Sequence, residues 1–155
     1  MTAISVDDFI TFCHRTIEAM RDEVARFDDE TINLAPELPG ANSGYVIVHH
    51  ALSACRWWTA TVVCGQPSDR DRNAEFSSTG TCAQLEQRAV DLMRTLTSLR
   101  DPMTDASALT IDPAPEMPLD GPWTVGAALI HAYEELAQHL GHLQITADLV
   151  LADRS

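Results

Sequence analysis

The chain has 155 residues, 45% of them hydrophobic, 21% charged and 6% aromatic, which suits a single globular domain over residues 1–155 and excludes a disordered or collagen-like chain. Ten Lys+Arg against 23 Asp+Glu leave a net charge of −13, and all ten cations are Arg. Phosphate contacts need a basic face that displaces counterions, so this balance argues against a nucleic-acid partner and against an anionic membrane surface.

The first predicted helix starts after Ser5, where Ser5-x-x-Asp8 reads as a capping box with Asp in place of Glu. Apolar residues then recur at Val6, Ile10, Cys13, Ile17, Met20, Val24 and Phe27, in steps of three and four that make one buried stripe. Pro36 and Pro39-Gly40 block its continuation. Ser43 caps a second predicted helix, from about Gly44 to Cys64, which Gly65 and Pro67 stop.

The third predicted helix opens at Thr81-x-x-Gln84, a second capping box, and carries Leu85, Ala89, Leu92, Leu96 and Leu99 until Asp101-Pro102 ends it. A loop containing Pro102, Pro113, Pro115, Pro118 and Pro122 leads to Thr124, the cap of a fourth helix whose apolar stripe includes Val125, Leu129, Ala132, Leu136, Leu140, Leu143, Ala147 and Val150. No segment alternates like a strand. The pattern predicts an all-α four-helix bundle with long crossover loops, and such loops, Gln66–Gly80 and Arg100–Trp123, commonly roof a pocket or an interface.

Cys13, Cys55, Cys64 and Cys82 form no Cys-x-x-Cys pair, and a chain this size needs no disulfides, so reduced, mostly buried cysteines are expected. Met1 to Asp8 shows no basic stretch leading into an apolar run, and no transmembrane-length apolar segment follows, which predicts a cytoplasmic protein with no membrane partner.

The chemistry concentrates in the fourth predicted helix. His131, Glu135, His139 and His142 follow one another at steps of four, four and three, so one helical face presents three imidazoles and a carboxylate at the edge of the buried arc. A three-ligand metal site needs a donor from a second helix, and His49-His50 offers one. At about 100° per residue, His50 falls at the border of the apolar arc, whereas His49 sits among Ser53, Arg56 and Ala60 and is expected to face water. His50, Glu135 and His139 would make a His₂-carboxylate set suited to Zn²⁺, Ni²⁺ or Fe²⁺, with a position left open. Taken singly, His131, His139 and His142 each read more readily as an interior group satisfied by neighbours; four groups on one face plus His50 point to a site.

Three stretches resemble the DinB-like superfamily of small four-helix metalloproteins, which includes mycothiol- and bacillithiol-dependent thiol transferases. They are Val48 to Trp58, with His50 followed eight residues later by Trp58; Asp69-Arg-Asp-Arg-Asn-Ala-Glu-Phe76; and Thr124 to Ile145, which is similar to the last long helix of an actinobacterial branch. The resemblance implies metal ligation by the residues matching His50, Glu135 and His139. Many members carry His at the middle position, while the branch that includes mycothiol-dependent maleylpyruvate isomerase carries Glu there, as this chain does. Cys55 stands where relatives often carry an acid.

The resemblance also implies metal-assisted transfer of a low-molecular-weight thiol, with mycothiol as co-substrate, onto a small electrophile, and a homodimer. His131 or His142 would then serve as an outer partner or a general base. Arg70 and Arg72 could bind a carboxylate of the thiol or its acceptor, or could simply pair with Asp69, Asp71 and Glu75. Trp123 could line the pocket mouth, while Trp58 reads as core. The same pattern is compatible with two other functions: a non-catalytic metal or small-molecule binding bundle serving a stress response, and a metal-free dimeric interaction module.

Overall fold

The computed structural model describes residues 4–113, 117 and 121–152, so Pro115 and Pro118 of the predicted loop lie outside the described residues. Among those described there are helices and no strands. In chain order they are α1 (Val6–Val24), a 3₁₀ turn (Thr31–Asn33), α2 (Gly44–Arg56), α3 (Arg72–Glu75), α4 (Cys82–Ser98), α5 (Arg100–Asp105) and α6 (Val125–Ala152).

The starts follow from local hydrogen bonding. Ser5 and Asp8 form the reciprocal box at α1, Thr81 and Gln84 the one at α4, and Ser43 Oγ accepts from Val46 N–H at α2. At α6, the Thr124 hydroxyl accepts from Ala127 N–H.

Besides the short α3 inside the predicted Gln66–Gly80 loop, two of the long helices depart from the expected pattern. Beyond Arg56 the second helix widens into a π-helical stretch, Trp57–Val63, so a wheel of about 100° per residue fails there, and Trp58 to Val63 are all buried. Pro102 does not end the third predicted helix. The break falls at Leu99, and Pro102 sits in the first turn of α5, where a missing N–H costs no helical bond. The cause is packing: Met103, buried in the core, anchors that turn.

α2 and α1 each pack against both α4 and α6, which places α1 and α2 on one diagonal of the bundle and α4 and α6 on the other. The connections from α1 to α2 and from α4 to α6 therefore cross the bundle ends. One contiguous apolar core fills the centre, with Ile17, Met20, Val48, Leu96, Leu136 and Leu143 among its fully enclosed side chains. Burial of each such residue contributes about 1.5–3 kcal/mol. No described helix is long and apolar enough to cross a membrane. The four cysteines are free, Cys13 and Cys55 wholly buried and Cys64 and Cys82 partly so.

Candidate metal centre

The site forms where α2 meets α6. His50 leaves α2 towards the core, and Glu135 and His139 leave α6 one turn apart to face it. His50 Nε2 lies 3.5 Å from Glu135 Oε2, and His139 Nε2 lies 3.4 Å from the same oxygen. One donor atom from each residue falls within 4.8 Å of the others.

These separations decide between two explanations. Hydrogen bonds between imidazole N–H and carboxylate are about 2.7–2.9 Å long, and these contacts are not. Donors sharing a tetrahedral ion at about 2.1 Å would stand roughly 3.4 Å apart. Glu135 Oε2 stands at that spacing from both nitrogens, and a set of two nitrogens and one oxygen could hold a divalent metal ion.

His131 adds a further nitrogen. Its Nε2 is 3.3 Å from Glu135 Oε1, outside hydrogen-bond geometry, and is buried with no hydrogen-bond partner among the described residues. Its Nδ1 lies 3.0 Å from Glu134 Oε2. The ring is walled by aromatics, with Trp58 edge-on at 4.8 Å and Trp123 at 5.6 Å, and the two indoles stack at 4.7 Å. Trp123 Nε1–H donates to Met117 O at 2.7 Å, which ties the chain before α6 to this wall.

The electrostatics follow from one carboxylate among three imidazoles. His131, His139 and His50 hold the Glu135 carboxyl far below the usual carboxylate range. Glu135, then Glu75, raises the His50 imidazole, and Glu135 likewise raises His131. His142 stands apart from the donor cluster, on the exposed side of α6 with its ring 6.2 Å from His139. Partial burial and the His139 charge lower its pKa.

The acid on the far side of His50 comes from a place the sequence reading did not assign to the site. Glu75, at the end of the four-residue α3, accepts from His50 Nδ1–H at 2.7 Å. Burial raises the Glu75 carboxyl, but His50 and Arg70 outweigh it and hold the group below its ordinary value. Arg70 donates to both Glu75 oxygens, at 2.6 and 3.0 Å, and so takes the ion-pair reading given above, while Arg72 lies over the Phe76 ring at 5.4 Å. Phe76 in turn sits 5.0 Å from the His50 ring. The one local signal was Asp71, whose side chain caps α3 by accepting from Asn73 and Ala74 N–H. No periodicity in so short a helix could show that Glu75 is buried.

His49 points away from this cluster, as the wheel indicates, but it does not face open water. His49, Ser53, Arg56 and Ala60 line a groove of about 620 Å³ between α2, α4 and the Gln66–Gly80 loop. There the His49 Nδ1 contacts Ser78 Oγ at 2.9 Å, and the loop that folds over it supplies the shelter.

A family model described as MST, mycothiol-S-transferase, matches residues 8–150. Among solved structures, the crystal structure of the conserved protein of locus from Enterococcus faecalis aligns with a TM-score of 0.72. The alignment covers 97% of this chain and 99% of that one at 16% identity. That likeness establishes a shared fold alone. No curated protein matches the chain.

Proposed function

The chain belongs to the mycothiol-S-transferase family, and on that premise we propose that it is a divalent-metal-dependent enzyme that joins a mycothiol-type thiol to a small electrophile. The observation that carries this reading is the meeting of His50, Glu135 and His139 from two helices at ligand-to-ligand spacing. These three residues would hold the ion, Zn²⁺ or Ni²⁺, which when bound supplies the Lewis acidity that favours thiolate over thiol at neutral pH.

The remaining roles fall to side chains around the three. His142, exposed beside His139 on α6, accepts the proton of the S–H group as the sulfur adds to the electrophilic carbon, and returns it to the atom of the electrophile that takes up the displaced electron pair. His131, held between Trp58, Trp123 and Glu134, faces the second Glu135 oxygen at 3.3 Å as its electrostatic partner. Trp123 and Phe76 bound the approach with apolar surface. Arg72, exposed beside Phe76, receives a carboxylate of the thiol or its acceptor, whereas Arg70 is engaged by Glu75. A cytoplasmic, reducing compartment suits four free cysteines and a thiol substrate.

The test is reconstitution of metal-stripped protein with Zn²⁺ or Ni²⁺, followed by mycothiol consumption against a panel of electrophiles. The reading predicts one equivalent of metal per chain and turnover that a chelator abolishes. Failure to take up either metal overturns it in favour of a metal-free interaction module. Stoichiometric metal without turnover on any electrophile overturns it in favour of a binding protein.

A further inference from the structure

Glu75 presents a physical puzzle. The side chain is 4% exposed and is met by the Arg70 guanidinium as a carboxylate, and withdrawing a carboxylate from water costs several kcal/mol unless its oxygens are well satisfied. Arg70, itself mostly buried, meets both oxygens, yet Oε2 also faces His50 Nδ1 at 2.7 Å. A salt bridge alone would be placed more cheaply at the surface. The His50 contact is what gives the burial a use.

An ionised carboxylate only accepts hydrogen bonds, so the His50 proton is held on Nδ1 and the lone pair is left on Nε2. That Nε2 is the atom 3.5 Å from Glu135 Oε2. Without Glu75, the imidazole could instead carry its proton on Nε2 and donate to Glu135, which would withdraw both groups from ligation. We infer that Glu75 is a positioning residue that sets the tautomer and ring orientation of His50, with Arg70 as its clamp, so that metal affinity depends on a residue outside both ligand-bearing helices.

The clamp is built to stay put. Asp71 caps α3, Ser78 Oγ donates to Glu75 O at 2.6 Å, and Asn33 bonds Gly80 through both backbone groups, at 2.8 and 3.0 Å. The Gln66–Gly80 loop thus reaches the centre from behind as a fixed brace.

The inference rests on the metal reading above, and its test separates the two. Zn²⁺ affinity is measured for wild type, Glu75→Ala and Glu75→Gln, and ¹⁵N–¹H NMR reads the His50 tautomer in metal-free protein at alkaline pH. Glu75→Ala is expected to lose about 10- to 100-fold in affinity and to populate the Nε2–H tautomer. Glu75→Gln, whose carbonyl can still accept from Nδ1–H, recovers most of both. If Glu75→Ala does not fold, Arg70→Met with Glu75→Leu removes both charges together and is expected to show the same losses. Wild-type affinity within twofold in the alanine or double variant, or an unchanged tautomer, overturns the inference. If wild type itself takes no Zn²⁺, the metal reading falls, and the tautomer contrast alone decides the role of Glu75.

Discussion

His49 and His50 adjoin in sequence and part in space. His50 Nε2 comes within 3.5 Å of Glu135, while His49 Nδ1 meets Ser78 Oγ at 2.9 Å on the groove side of α2. Their separation follows from the 100° turn per helical residue, which sets consecutive side chains on different faces. His50→Ala should therefore lower Zn²⁺ affinity by more than the roughly 100-fold that loss of an outer partner causes. His49→Ala should leave metal stoichiometry and affinity unchanged. Paired isothermal titrations check this, and the reverse pattern would show that the facing is misassigned.

The metal-free centre carries a pH signature with a definite sign. His50 and His131 have raised pKa values because Glu135 faces them, so their contribution to stability is fully present below the unfolded value of about 6.5 and is lost as pH rises through the folded values. Glu135→Gln removes the largest of the charges that raise them, leaving Glu75 beside His50 and Glu134 beside His131. The stability gap between chelator-treated wild type and this variant should be widest near pH 6 and shrink towards pH 9. Comparing the two proteins cancels the opposite contributions of His49 and His142, whose pKa values are lowered. Urea unfolding of both proteins across this range measures the gap, and a gap that widens on the alkaline side contradicts the assignment.

If His142 accepts the thiol proton, His142→Ala should retain one equivalent of metal while kcat/KM falls by about 10²- to 10⁴-fold. The loss should be smaller at high pH, where solution supplies thiolate unaided. Equal activity of variant and wild type at pH 7 would remove His142 from the reaction.

Gly80 closes the loop that braces the site. A Cβ at this position would stand 2.5 Å from the Tyr45 hydroxyl and 2.6 Å from its ring edge, and Tyr45 is buried at the start of α2. Gly80→Ala should cost about 1–3 kcal/mol through forced repacking. The midpoint of urea unfolding checks it, and an unchanged midpoint would mean that Tyr45 yields freely.

His14 shows how a single residue can be silent in sequence. It lies beside the α1 stripe with no partner nearby in the chain, and in the structure its Nε2–H donates to Met93 O of α4 at 3.1 Å. The same holds for Arg26, which reaches Asp148 of α6 at 2.7 Å. Pairings across the bundle depend on which helices become neighbours, and no periodicity within one helix encodes that.

The four long helices, the reciprocal caps at Ser5 and Thr81, the inward facing of His50 and the shared face of His131, Glu135 and His139 were all set by local rules. Capping and helical period act over three or four residues, so the chain itself carries them. The π-helical turn after Arg56, the short helix around Pro102, the cover over His49 and the burial of Glu75 against His50 were decided by the packed bundle. There, filling the core and satisfying buried polar groups across distant segments outweighed local preference.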